Sequence, residues 1–234
     1  MTSLLVALAL TANTADAKPY MWGVGGSVNT MVLPGGFPST WSKAKKVDGE
    51  TPDLGEYTND KGYLTSPHFN DVRGDVGVGA RGLFYLNGQW RGRASGQLGF
   101  GEDYRSGTLT LGVDKIVGGE SGAFAFIGGE LGLGSQKFSS AEDSAELKVS
   151  TFPLQMQAGG YYKINQKNAI ELSLFVRAPL PMVQMLETDA GEEHEMGVGL
   201  NPLQYANFGV EMSYYFGDFS KPRKKKGKGK GRRR

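Results

Sequence analysis

Ten charged side chains recur at alternating positions within apolar-patterned stretches: Arg73, Asp75, Arg81, Arg91, Arg93, Asp114, Glu130, Glu171, Arg177 and Glu211. Side chains alternate across a strand, so same-parity residues share one face. Five bases and five acids on the inner face of a sheet could line a narrow conduction path or pair into a closed core. An unpaired buried charge is costly, so a balanced set is what a plugged interior would need, and the closed core is the preferred reading. The two histidines, His68 and His194, offer the other candidate chemistry. His194 stands among Glu192, Glu193 and Glu195, and imidazole and carboxylates are metal ligands. Adjacent loop acids need no ion, so the cluster reads as a solvated acidic loop. The pairs Gly25-Gly26 and Gly128-Gly129 lie within strands rather than opening helices, so they suit close packing rather than a phosphate. No catalytic residue, metal site or cofactor is expected.

The elements that would position these charges are strands. In 205–216, Ala206, Phe208, Val210, Met212, Tyr214 and Phe216 share one face. Tyr205, Asn207, Gly209, Glu211, Ser213 and Tyr215 share the other. About a dozen alternating residues slightly exceed the ~9–11 that a tilted strand needs to cross a bilayer. The aromatics Tyr214, Tyr215 and Phe216, with Phe219 just beyond, are expected at a membrane interface. The same alternation predicts strands over 20–32, 71–86, 89–101, 104–117, 122–134, 148–163 and 169–178. Pro153 cannot donate to a ladder and marks a bulge or a strand end. Asn87-Gly88 is the strongest hairpin signal. Gly118 to Ser121 and Asn165 to Asn168 read as tight turns, whereas 33–70, 136–147 and 179–204 read as long polar loops. Long and short connections therefore emerge at opposite ends.

Composition separates the ends from the body. Residues 1–17 form a signal-like segment, with an apolar run from Leu4 to Leu10 and a small-x-small Ala15-Asp16-Ala17. Lys and Arg are missing before that run. Residues 18–219 hold all the expected strands and are read as one closed barrel domain. The tail at 220–234 holds ten Lys and Arg and no acid. Removing those ten from 26 leaves 16 bases against 24 acids, so the body is near −8. Dense like charge with glycine cannot bury a core, so the tail is expected to be disordered. Arg223, Lys224, Lys225, Lys226, Lys228, Lys230, Arg232, Arg233 and Arg234 would make its electrostatic contacts, with anionic lipid headgroups or the cell wall rather than nucleic acid. There are no cysteines, hence no disulfide framework.

Strand count, dyad alternation, loop asymmetry and the aromatic last strand ending at Phe216 resemble the small eight-stranded outer-membrane barrels, of the OmpA transmembrane-domain, OmpX and opacity-protein type. The resemblance covers about residues 20–217. It implies an all-β, antiparallel up-and-down transmembrane barrel in the bacterial outer membrane, with both termini periplasmic. The family usually ends at its terminal aromatic, whereas this chain continues into the basic tail.

The function expected is non-enzymatic: a structural, adhesive or envelope-anchoring role through loops 33–69 and 181–203 and the tail, among outer-membrane lipid and an extracellular partner. A narrow, porin-like channel for small solutes is the alternative, and a soluble lipocalin-like barrel the second. Some eight-stranded barrels are lipid-modifying enzymes with His/Ser or His/Asp/Ser sites, and no such arrangement is legible here.

Overall fold

A computed structural model describes residues 21–33, 42–47, 49, 50, 52, 54–64, 73–117, 123–140, 144–198 and 206–219. The expected signal segment, the Gly118–Ser121 turn and the basic tail lie outside them.

Ten strands run in chain order: β1 (Trp22–Leu33), β2 (Ser42–Ala44), β3 (Arg73–Tyr85), β4 (Trp90–Phe100), β5 (Tyr104–Val117), β6 (Ala123–Ser139), β7 (Glu146–Lys163), β8 (Asn168–Glu187), β9 (Glu193–Val198) and β10 (Asn207–Asp218). Eight of them pair in sequence, all antiparallel, and β10 bonds both β8 and β1, which closes the barrel. Full closure leaves no sheet edge among the eight, as a membrane-spanning sheet requires.

The pairing fixes the tilt. From Trp22 the partners run through Phe84, Gly92, Val113, Gly129, Met156, Val176 and Phe208 to Val32, ten residues along β1. At about 3.3 Å per residue and about 4.8 Å between strands, that stagger tilts the strands by about 40°. Those ten residues then rise about 25 Å along the barrel axis, which is the height of an outer-membrane apolar band.

The outer wall over this height is apolar: Val28, Val78, Leu109, Leu111, Met156, Leu172, Leu174 and Met212 all point outward. Leu109 is 71% exposed while Arg91 is 0%. A soluble barrel would need the reverse, because water tolerates no continuous apolar belt of this extent. Aromatics mark both borders. Trp22, Phe84, Trp90, Tyr162, Tyr214 and Phe216 stand at the end that holds the termini, and Phe100 and Phe208 at the other.

The structure corrects two strand ends. β6 runs five residues beyond the expected 134, and β8 runs nine beyond 178. Above the apolar belt the alternation continues with its sign inverted. Lys137, Glu146, Lys148 and Glu187 face outward, whereas Phe138, Leu147, Val149 and Leu186 are buried. The register shift comes between Ser150 and Thr151, opposite Met182, two residues from Pro153. Pro181 faces Thr151 at the shift and Pro153 faces Pro179 two residues on, so residues without an N–H cluster beside the irregularity.

The long first connection is also ordered in part. β2 pairs with β9, which pairs with β8. Ala44, Leu54, Tyr57 and Leu64 bury against Met31, Tyr104, Phe138, Leu147, Val149, Phe175, Leu186 and Met196. This second core caps the barrel end opposite the termini.

The tight turns are held by side chains. Asn87 Oδ1 accepts the N–H of Gln89 at 2.8 Å and of Trp90 at 2.9 Å. Asn165 Oδ1 does the same for Lys167 and Asn168. The Asn87-Gly88 turn thus works through an Asx bond, and Gly88 is not among the positive-φ glycines.

Candidate functional site

The barrel interior holds the chemistry, and parity delivers it there. Odd positions of β1, β3, β4, β7, β10 and of β8 below Met182, and even positions of β5 and β6, point inward. Seven of the ten charges that the sequence groups together meet in one layer. Arg81 Nε lies 2.6 Å from Glu211 Oε1, and its Nη1 lies 3.5 Å from Glu171 Oε1. Arg91 reaches Asp114 and Glu171, each at 2.7 Å. Arg93 reaches Asp114 at 2.6 Å, Glu171 at 2.7 Å and Glu130 at 3.2 Å. Glu171 is the hub, since it touches all three arginines. Neutral donors satisfy further oxygens. Gln157 Nε2 donates to Asp114 at 3.1 Å and to Glu130 at 3.0 Å, Thr110 donates to Glu130 at 2.6 Å, and Gln97 donates to Glu211 at 2.9 Å.

The other three charges are placed differently. Arg177 donates to Gln155 at 2.8 Å and to Gln97, and its guanidinium lies 5.2 Å from the Phe175 ring centre. It forms no ion pair within 4 Å among the described residues. Asp75 instead accepts the Phe100 N–H at 3.2 Å. Arg73 opens β3, and its side chain lies outside what the structure describes. Alternation reports the face but not the height, so it could not separate these residues from the seven. Gln97, Gln157 and Thr110 join the layer, and Gln155 holds Arg177 beside it, without having been singled out. Their signal was available, as polar residues on the arginine-bearing face.

Glycine makes room for this layer. Gly112 lies between Arg93 and Glu130 in the hydrogen-bonded row. A Cβ there would stand 2.5 Å from Glu130 Cγ. At Gly128 it would meet Asp114 Oδ1 at 2.0 Å, and at Gly209 the Phe175 ring at 2.3 Å. At these three positions a large inward side chain thus packs on an inward glycine.

Below the charges, toward the termini, lies an aromatic plug. Tyr161 stacks on Phe124 at 4.4 Å, and Tyr85 and Phe219 meet Tyr161 edge-on at 6.3 and 6.0 Å. The Arg91 guanidinium lies 4.1 Å from the Phe126 ring centre, a cation–π contact joining plug and charges. Tyr215 and Phe219 are fully buried here. The expectation that they belong to an interfacial girdle is therefore corrected, because only Tyr214 and Phe216 face outward. Phe219 turns back into the mouth. Its N–H donates to the Gln166 carbonyl at 2.8 Å, and its carbonyl accepts Lys163 Nζ.

Of the acidic cluster near His194, Glu193 and Glu195 lie in β9 rather than in a loop, and Glu192 precedes the strand. Its carboxylates pair with lysines: Glu193 with Lys148 at 3.8 Å and Glu195 with Lys45 at 2.8 Å. His194 Nε2 lies 3.5 Å from Glu192.

A closed antiparallel eight-stranded barrel with an apolar outer belt and a charged, filled interior is the fold of the small outer-membrane β-barrels. Among solved structures, the chain is similar to the outer membrane protein OprG from Pseudomonas aeruginosa, with 12% identity and a TM-score of 0.51 over 87% of this chain and 98% of that one. Neisserial surface protein A matches with 5% identity and a TM-score of 0.47 over 84% and 96%. The attachment invasion locus protein Ail of Yersinia pestis matches with 11% identity and a TM-score of 0.43 over 86% and 99%. At these identities the likeness concerns fold. No protein-family model and no curated protein matches the sequence.

Proposed function

We propose that the protein is a non-enzymatic barrel of the bacterial outer membrane. In this reading it is closed to solutes and works as a structural or adhesive element, with both termini periplasmic. The observation that carries this reading is the filling of the interior along its height. An aromatic plug, a paired charge layer, an amide layer around Arg177 and an apolar cap follow one another from the termini outward. Eight strands leave an interior just wide enough for side chains to fill, which supports a core over a pore. The folded cap, built on β2, β9 and the upper ends of β6 to β8, is the contact surface for an extracellular partner. The basic tail tethers the other end to anionic headgroups or the cell wall.

The test is conductance in planar bilayers. The closed reading expects none from the wild type, and steady unitary steps would replace it with the narrow-channel alternative. Cells expressing the protein should bind surfaces through the cap. Replacing 42–64 by a short glycine-serine loop should abolish binding while leaving the barrel folded.

A further inference from the structure

The outer wall changes chemistry in bands just above the apolar belt, and the register shows each band as one hydrogen-bonded row. Leu109 and Leu133 are paired neighbours in the belt. The next row toward the cap runs Leu98, Gly107, Ser135, Ser150 and Val183. Three small residues between two apolar ones make a depression. The row after that runs Arg105, Lys137 and Lys148, directly opposite one another on β5, β6 and β7, and then Met185. These residues line one groove of about 480 Å³. Beyond it comes an acidic row, Glu146, Glu187 and Glu193.

Like charges directly opposite on neighbouring strands are destabilising unless something offsets them. Lys137 pairs with Glu146, and Lys148 with Glu187. Such exposed pairs contribute little and compete poorly with a multivalent anion. Arg105 has no ion pair among the described residues. The order of the bands is directional: apolar, small, cationic, acidic. In the proposed orientation the cations stand where the acyl region of the outer leaflet gives way to its headgroups.

We propose that Arg105, Lys137 and Lys148 form a binding site on the barrel wall for a phosphorylated lipid headgroup of the outer leaflet. The lipid's first carbons lie in the Gly107–Ser135–Ser150 depression, and its phosphate oxygens accept charge-assisted hydrogen bonds from the three cations. This inference rests on the outer-membrane reading and adds to it a lipid contact on the wall, separate from the tail.

The full chain, refolded in uncharged detergent, is titrated with diphosphorylated lipid A, with the same lipid after phosphatase treatment, and with inorganic phosphate. A heat-dependent gel shift first shows that each sample is folded; its loss in the wild type would sink the membrane reading itself. At about 1 kcal/mol per cation near an anionic surface, the triple variant Arg105→Gln/Lys137→Gln/Lys148→Gln should bind the phosphorylated lipid about 100-fold more weakly. Lys115→Gln, an exposed cation near the opposite border, should bind like the wild type. The dephosphorylated lipid should not distinguish wild type from triple variant. The tail is common to all samples, so equal affinity of folded wild type and triple variant would overturn the site and leave the tail as the binder. Full competition by inorganic phosphate would overturn the assignment to a lipid.

Discussion

Replacing Arg93 by methionine should expose how the charge layer is balanced. Arg93 is 1% exposed and contacts three carboxylates. Without it, Asp114 keeps Arg91, and Glu171 keeps Arg81 and Arg91. Glu130 is left with Arg81 alone, at 3.7 Å, besides its bonds from Thr110 and Gln157. Breaking a buried pair by removing one partner costs about 3–5 kcal/mol, and loss of three contacts puts Arg93→Met at the upper end. Glu130→Gln alone should cost about 1 kcal/mol, because Arg93 keeps two carboxylates and the amide keeps a hydrogen-bonding oxygen. The double variant should cost well below the sum of the two, since the second change removes the charge that the first strands. Reversible urea unfolding in lipid vesicles measures this. Trp22 and Trp90 lie on the outer wall, so their fluorescence reports leaving the lipid. At about 1–3 kcal/mol per molar urea, Arg93→Met should lower the midpoint by more than about 1 M. A loss under about 1 kcal/mol, or strict additivity in the double variant, would refute the layer as the barrel's electrostatic core.

Three further outcomes follow from the geometry. Gly112→Leu should destabilise the barrel by about 2 kcal/mol or more through overpacking against Glu130, read in the same unfolding assay, whereas Gly82→Ala, where an added Cβ meets nothing within 4 Å, should be near neutral. Phe219→Ala should cost about 3–5 kcal/mol as a buried aromatic truncation and speed protease cleavage after residue 217, because it unpins the chain from the inner mouth. The Lys148 hydrogen bond holds the Glu187 carboxyl below the usual range, and the same bond raises Lys148. A lowered carboxyl stabilises above its unfolded value of about 4.3 and loses that contribution as pH falls through the folded one. Amide protection at the tips of β7 and β8, relative to the intrinsic exchange rate at each pH, should therefore fall below about pH 4, and Lys148→Gln should remove the change.

Much of the barrel was legible because two faces of opposite polarity alternate with period two. β5 runs over 104–117 as read, and Glu130 of β6 faces inward as expected, with Phe124 and Phe126 on the same side. The upper ends of β6 and β8 were hidden by the inversion of polarity. Past the membrane border Lys137 faces out and Phe138 in, so a reading that seeks apolar residues outside ends the strand there. The shift opposite Met182 adds a change of parity that no local pattern announces. β2 and β9 are short and owe their existence to tertiary pairing and to the buried cap, which includes a Ser42 hydroxyl donating to Gln184. Within the site, the faces of all nine described side chains were readable, but their heights depend on the barrel's stagger. For that reason Arg177 and Asp75 could not be told apart from the seven that meet.

The central claim is a membrane-inserted barrel, and it is tested most directly by separating inner and outer membranes and comparing boiled with unboiled samples on an SDS gel. The account predicts the protein in the outer-membrane fraction, migrating faster unboiled than boiled because the closed barrel resists SDS until heated. A protein recovered in the soluble fraction, with one mobility whether heated or not, would contradict it.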